Sequence, residues 1–456
     1  MEPQKTVKIT EFARVSPSSP SPSHFSLPLT FFDTLWFKFP PTERVFLYQL
    51  PDLTTASFYS DILPRLKRSL SAALVHYFPL AGNLKWDASD PEPTIACVKN
   101  DAVSLTVAES AADFTRVTAD EVHEATELHG LLPELVIGDH ISPIISLQIT
   151  LFPGQGFSLG FSTHHAVVDG HTITSFIKAW AYMSKHDKEN ASLPADLIPS
   201  FDRNAIEDPT GLRTAILNQW IAIGSVESDP SKRNLKSLPF QKIDPEFVRA
   251  TFKLSREDIK KLKERVLVQH DDVKKPLHLS TFVTTYAYVF TSMVKARGGD
   301  NNRDIYFGFT ADYKTRLDPP LPSNYFGNCV VALLGVGRAG DLMGKDGFVT
   351  VAKVISDLVS GLDTEAPKRL PNLVSKLVRL EAGTQMGSVA GSIRFGEYGV
   401  DFGWGKPKKA EIASIDRTGA FSLMESRDGN GGVEIGVPTR TREEMDKFAS
   451  VFYTEL

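Results

Sequence analysis

The chain has 456 residues, 42% hydrophobic and 23% charged, which is room for two or three domains around a sizeable core. Its formal net charge of −5 excludes a broad phosphate-tracking surface, so nucleic acid is not an expected partner. Two cysteines, Cys97 and Cys329, exclude a disulfide framework or a zinc cluster. The start MEPQKTVKIT has no apolar signal segment and no run of about 18 apolar residues occurs, so the expectation is cytoplasmic, with no membrane partner.

Along the chain, TVKI at 6–9 alternates as a first strand, and the Ser/Pro-rich residues 16–28 read as a loop. Residues 55–78 predict a helix, with Phe58, Ile62, Leu66, Leu70 and Leu74 on one face and Pro64 near its first turns. It stops near Pro79, before an Ala-Gly-Asn turn. IISLQITLF (144–152), the turn PGQG and FSLGFST (157–163) predict a hairpin. A helix over 172–183 follows, with Ile173, Phe176, Ile177 and Trp180 on one face. Asn190-Ala191-Ser192 fits a glycosylation sequon, expected to be idle without secretion.

Residues 187–245 are polar and Pro-containing, with one helical patch, LRTAILNQWIAIG. A second block opens with the strand VRATFKL. A helix then starts at Ser255 with Glu257 and Asp258 in its first turn, and a long buried helix spans about 279–295. Strands are expected at 304–310, 328–335, 410–415, 419–425 and 432–437, the last two joined by the turn SRDGNGG. No repeat at solenoid periods is present.

FSTHHAVVDGHT (161–172) crowds three histidines and an aspartate between a strand end and a helix start. A metal needs ligands converging at about 2 Å, and no further cluster supplies one, so no metal is expected. Two readings stay open on the residues alone: loop histidines, or a histidine base with a carboxylate that fixes its geometry. Gly156-Phe157-Ser158-Leu159-Gly160 fits the nucleophile elbow of a serine hydrolase, but Ser158 lies inside an alternating strand, where the motif requires a strand-to-helix turn. Gly335 to Gly340 fits GxGxxG, but DLMGKDG after it is a poor helix start for a dinucleotide. YGVDFGWGKPKK (398–409) joins flexible glycines to Trp404, a donor-only indole, and to the basic run Lys406, Lys408 and Lys409; composition alone favours a packed Trp and a solvated run.

HHAVVDG and DFGWG, in this order and about 230 residues apart, resemble the two signatures of the plant BAHD acyltransferases. NYFGNC (324–329) resembles the extra motif of the branch acting on anthocyanins and other flavonoid or phenolic glycosides, phenolic glucoside malonyltransferases above all. LPLTFFD (27–33), FPLAGNL (78–84), LSTFVTTYAYV (279–289) and ADYKTRLDPPLP (311–322) extend the likeness over the whole length.

The resemblance implies an α/β fold of two chloramphenicol-acetyltransferase-like domains, each a mixed β-sheet flanked by helices, with the active-site channel at their interface. Residues 1–195 would form the N-terminal domain, 196–245 the crossover and 246–456 the C-terminal domain. It implies malonyl transfer from malonyl-CoA to a sugar hydroxyl, the 6-hydroxyl, of a phenolic or flavonoid glucoside. The alternative is a hydroxycinnamoyl-CoA donor with an anthocyanin glucoside. His165 would be the general base, and Trp404 would donate its indole N–H to the oxyanion. Asp169 would be a support facing away, paired with Arg316, and Asp401 a second structural charge. Lys253, Ser280 and Thr281 would meet CoA. His171, Lys178 and Arg394 are the candidates to face the malonyl carboxylate, which is costly to bury unpaired. Acyl-CoA would be a co-substrate, with no permanently bound cofactor, and the protein a monomer. A serine hydrolase using Ser158 and a non-catalytic small-molecule binder are the competing classes.

Overall fold

The computed structural model describes residues 7–456 except 20–23, 88–89, 188–191, 225–232, 239–241, 270–276, 364–365, 379 and 381–383; Asn190 and Ala191 of the sequon lie outside the described residues. Strand β1 is Val7–Val15, longer than the expected 6–9. The four-residue helix α1, Phe31–Thr34, opens on a capping box between Thr30 and Asp33. Strand β2, Thr42–Gln49, leads to the expected first long helix, which runs continuously from Thr55 to His76. Its second turn, Phe58–Ile62, is a π-helix, and Pro64 sits in the first turn of α2, Leu63–His76, where a missing N–H is tolerated.

Strands β3 (Val103–Ser110), β4 (His123–Glu124), β5 (Ile145–Phe152) and β6 (Gly156–Thr163) follow, then helices α3 (Gly170–Lys185) and α4 (Leu212–Gly224). The second half holds β7 (Val248–Leu254), α5 (Arg256–Val268), α6 (Thr281–Arg297), β8 (Asp304–Asp312), β9 (Val330–Arg338) and α7 (Gly347–Ser360). It ends with β10 (Met386–Ala390), β11 (Lys409–Ile412), β12 (Phe421–Glu425), β13 (Val433–Thr439) and α8 (Arg442–Thr454). Both expected hairpins form, β5 with β6 and β12 with β13. Among the described residues no helix is long and apolar enough to cross a membrane.

Beside a small sheet with the order His24–Pro28, Thr94–Val98, Asn83–Lys85, Ile141–Pro143, one large sheet has the order β1-β3-β5-β6-β2-β11 and the other β9-β8-β10-β12-β13-β7-β4. Both are mixed: β3 runs parallel to β5, and β10 parallel to β8 and β12. Helix α2 lies on α3 and buries Leu66, Leu70 and Leu74 beside Ile173, Phe176, Ile177 and Trp180. Each such fully buried side chain stabilises the pair by about 1.5–3 kcal/mol before entropy is counted.

The sheets do not respect the expected boundaries at 195 and 246. Strand β11, from the C-terminal half, completes the first sheet by pairing Lys409 with Leu47 and Ile412 with Arg44. Strand β4, from the N-terminal half, joins the second by pairing with Val248 and Arg249. Buried ions fill this crossing. Arg249 reaches Glu411 at 2.7 Å and Asp416 at 2.8 Å, and Lys409 reaches Asp120 at 2.5 Å. Lys409 is thus fully buried, against the expected solvated run, because its alternation on β11 points it into this cluster; Lys406 and Lys408 are exposed. The Gly335–Gly340 stretch is the end of β9, which enters a five-residue helix directly, and Gly335 packs against the Phe307 ring. It forms no phosphate-cradling loop.

Candidate active site

His165 lies between the end of β6 and the start of α3. Asp169 is the N-cap of α3: its Oδ1 accepts the Thr172 N–H at 2.8 Å, with extended backbone at φ −85°. The loop between them is tightly packed, with Ala166, Val167 and Val168 all buried. His164 is buried, held by its own N–H on the Ile144 carbonyl at 2.8 Å. Burial, helped by His165 and Lys38, pushes its imidazole down to about 3.

The His165 ring lies flat on the Trp36 indole, with centroids 4.3 Å apart and planes within 4°. Phe39 meets the imidazole edge-on at 6.0 Å. Nδ1 is buried, with only the residue's own carbonyl bearing on it, which leaves Nε2 as the open nitrogen of a partly exposed residue. Burial lowers the ring to about 4; the carbonyl and Asp169 oppose this, and Arg44 adds to it. At neutral pH the imidazole is therefore unprotonated and ready to accept a proton.

Three distant segments hold this loop. The Asn328 side-chain amide donates to the His165 carbonyl at 3.1 Å and to Asp33 Oδ1 at 3.0 Å, and the Asn328 backbone N–H donates to the same Oδ1 at 2.9 Å. Asp33 is fully buried; its Oδ2 accepts from the Thr30 N–H at 2.8 Å and from Arg203 at 2.5 Å. Cys329 N–H reaches Asp169 Oδ2 at 3.4 Å. The motif NYFGNC thus joins the base loop to the N-terminal segment and to Arg203 of the crossover. Gly327, at φ +140°, leaves no room for a side chain: a Cβ would lie 3.0 Å from Arg203 Nη2 and from the Tyr325 ring.

Two expectations are corrected. Asp169 does not pair with Arg316. Residues Lys314–Arg316 form a 3₁₀ turn that leaves Arg316 exposed, its guanidinium on the Asp312 carbonyl at 2.8 Å. The same turn sends Lys314 inward. Burial alone would lower its pKa, but Asp169 and Asp312 outweigh that and raise it. Lys314 pairs with Asp312 at 3.0 Å and lies in the field of Asp169.

Trp404 is not beside His165. Its indole meets Phe157 edge-on at 5.8 Å, at the opposite end of the eight-residue strand β6. That strand alone separates them by roughly 25 Å. DFGWG instead clamps the far end of α3. Asp401 accepts the Gly403 and Gly405 N–H groups at 2.8 and 2.9 Å and pairs with Lys185 at 2.7 Å. Ser184 donates to the Phe402 carbonyl at 2.8 Å, and the Arg65 guanidinium covers the Trp404 ring at 4.5 Å.

The other candidates divide. The buried, unpartnered Nδ1 of His171 sits in the field of Lys314, Asp169, Asp312 and Lys178, and burial with Lys314 lowers its pKa. Lys178 donates to the Phe395 carbonyl at 2.5 Å, and the Phe395 ring lies 2.8 Å from where a Cβ on Gly170 would be. Residues 391–397 therefore cover the start of α3 and carry the exposed Arg394 there. Lys253 is met in place by Asp120 at 2.7 Å. Ser280 caps α6 by accepting the Val283 N–H at 3.2 Å, with Thr281 next to it. Ser158 Oγ is buried in mid-strand and unpartnered, with no base beside it among the described residues, so the hydrolase reading fails.

Sequence reasoning did not single out Asp33, Trp36, Arg203, Lys314 or Asn328. The Thr30-x-x-Asp33 capping-box spacing was the one local pattern that could have marked Asp33.

Fold and base loop together define an α/β protein with two large mixed sheets and an exposed histidine nitrogen in a tight strand-to-helix loop. A family model described as "Transferase family" matches residues 5–455, and the chain belongs to that family, the BAHD acyltransferases that its motifs resemble. The chain is 45% identical to phenolic glucoside malonyltransferase 1 of Arabidopsis thaliana, covering 100% of this chain and 99% of that one. It is 47% identical to malonyl-CoA:anthocyanidin 5-O-glucoside-6''-O-malonyltransferase of the same plant, over 98% and 97%. It is 41% identical to that plant's agmatine coumaroyltransferase, over 98% of each. The crystal structure of vinorine synthase shares the fold at TM-score 0.71 and 21% identity, covering 97% of this chain and 96% of that one.

Proposed function

We propose that this protein transfers malonyl from malonyl-CoA to a sugar hydroxyl of a phenolic or flavonoid glucoside, as a monomer in the cytosol. One observation carries the chemistry: an unprotonated imidazole with an open Nε2, held by its carbonyl through Asn328 and by its ring through Trp36. His165 Nε2 takes the hydroxyl proton as the oxygen attacks the thioester carbonyl. The tetrahedral adduct expels the CoA thiolate, and the imidazolium returns the proton to sulfur. No acyl-enzyme forms. A positioned base of this kind contributes about 10²–10⁴-fold.

The malonyl carboxylate falls to the basic group at the start of α3. His171 has a free buried nitrogen, Lys178 has donors beyond the Phe395 carbonyl, and Arg394 stands exposed above them. Ser280 and Thr281 offer CoA phosphate a helix N-terminus, and Lys253 stays half-exposed beside Asp120. The buried free thiols Cys97 and Cys329 fit a reducing compartment.

The test is a donor panel of malonyl-CoA and p-coumaroyl-CoA with one flavonoid glucoside, scored by product mass. A product heavier by one malonyl group is expected, and it must vanish with His165→Ala. The likeness to a coumaroyltransferase favours one second reading, a hydroxycinnamoyl donor; faster transfer from p-coumaroyl-CoA would establish it.

A further inference from the structure

A hydrolase built on Ser158 fails for want of a base beside its hydroxyl. A thioester is nonetheless hydrolysed without any protein nucleophile where a base within reach of water stands beside its carbonyl. His165 has such a nitrogen. The residue is partly exposed and its Nδ1 is closed off. Trp36 stacks on the ring at 4.3 Å and Phe39 meets it edge-on at 6.0 Å, so Nε2 is the nitrogen that solvent meets. Among the described residues no group is hydrogen-bonded to Nε2. Its lone pair is free at neutral pH, because burial lowers the ring to about 4.

The chain offers no competing nucleophile at this nitrogen. An activated serine or cysteine is hydrogen-bonded to its base, and no described hydroxyl or thiol is bonded to this imidazole. Ser158 Oγ is buried inside β6. Both thiols are buried too. Burial pushes Cys97 up to about 12 and raises Cys329 as well, so neither is a thiolate at neutral pH. The O–H group that gives its proton to Nε2 therefore comes from outside the chain. A sugar hydroxyl arrives there only on a bound glucoside, whereas water reaches an exposed nitrogen unaided.

We propose a second activity: with no acceptor bound, this protein hydrolyses malonyl-CoA by direct attack of a water molecule that His165 Nε2 deprotonates. This rests on the reading of His165 as base. The water proton passes to Nε2 as the water oxygen bonds to the thioester carbon, and the carbonyl electron pair moves onto its oxygen. Collapse of that adduct breaks the carbon–sulfur bond, and the imidazolium returns the proton to the CoA sulfur. The products are free CoA and malonic acid, which ionises to malonate in solution. No oxidant, metal or acyl-enzyme enters the balance. A bound glucoside displaces this reaction. Effective molarities of well-placed groups reach about 10⁵–10⁸ M, far above that of water, so transfer outruns hydrolysis once a sugar hydroxyl is held.

The experiment incubates the full-length protein with malonyl-CoA alone, reading free CoA with a thiol reagent and malonate by mass spectrometry. CoA and malonate are expected in equal amounts. Their release should be faster than in His165→Ala and in His165→Gln by about 10²–10⁴-fold. It should start without a burst, and the intact protein mass should stay that of the unmodified chain. Adding a flavonoid glucoside should replace malonate by the malonylated glucoside. Release at the same rate in wild type and both variants overturns the proposal, and so does a burst accompanied by malonyl-bearing protein. The glucoside arm separates the two readings. If wild type malonylates the glucoside and His165→Ala does not, yet no malonate forms without acceptor, hydrolysis alone is refuted. If His165→Ala malonylates at the wild-type rate, the base reading itself falls.

Discussion

The two ends of helix α3 are built to opposite rules. At the DFGWG end the polar groups close on one another: Asp401 on two N–H groups and Lys185, Ser184 on Phe402, Arg65 on the Trp404 face. At the His165 end, buried polar atoms are left over, among them Trp36 Nε1, His165 Nδ1 and His171 Nδ1. Unpaired buried atoms cost stability and are rare in native proteins. In the function proposed above, substrate completes the open end, and the paired end acts as a brace. A 16-residue helix, roughly 24 Å long, keeps the two apart.

The largest effect expected is at the open end. His165→Ala should lower kcat by about 10²–10⁴-fold while the melting temperature holds, checked by product formation and calorimetry together. Asp33→Ala comes next and reverses the pattern. It strips Arg203 of its buried partner, so about 3–5 kcal/mol of stability is lost, read from urea unfolding. At the closed end, Asp401→Ala should cost about 1.5–3 kcal/mol through the lost charge-assisted bonds, with kcat in the surviving folded enzyme close to wild type. Trp404→Phe should behave likewise, at about 0.5–1.5 kcal/mol. A hundredfold loss of kcat in Trp404→Phe without destabilisation would break the comparison.

The smallest effect is in pH. His165 titrates near 4 in the folded protein, below the ordinary 6.5, so kcat/KM should stay level as pH falls through 6.5 and decline only toward 4. Stability moves earlier. His164 and His165 both resist protonation when folded, so the unfolded chain takes up protons first, and stability falls as pH drops from 6.5 toward 3. An acid limb of kcat/KM at 6.5 would show the imidazole to be far wetter than its packing.

Elements with strong periodicity were legible in the sequence: the helix carrying Leu66, Leu70 and Leu74, and both hairpins with their turns. His165 was legible through its motif. Its supports were not, because Asp33, Arg203 and Asn328 are up to 295 residues apart and meet only through the fold. Trp404 was misplaced because motifs that occur together in a family need not touch. Arg316 was named for Asp169 and Lys314 went unnoticed, because a 3₁₀ turn decides which of the two cations faces inward and sequence spacing does not reveal that turn.

The exchanged strands have a consequence for how the chain is made. The first sheet lacks its last strand until residue 412 of 456 has been synthesised, and that strand carries Lys409 and Glu411 to bury beside Asp120 and Arg249. An emerging N-terminal half therefore waits on the ribosome with an open edge and uncompensated charges. Separately expressed halves should be insoluble alone, and the complete chain should melt in a single transition.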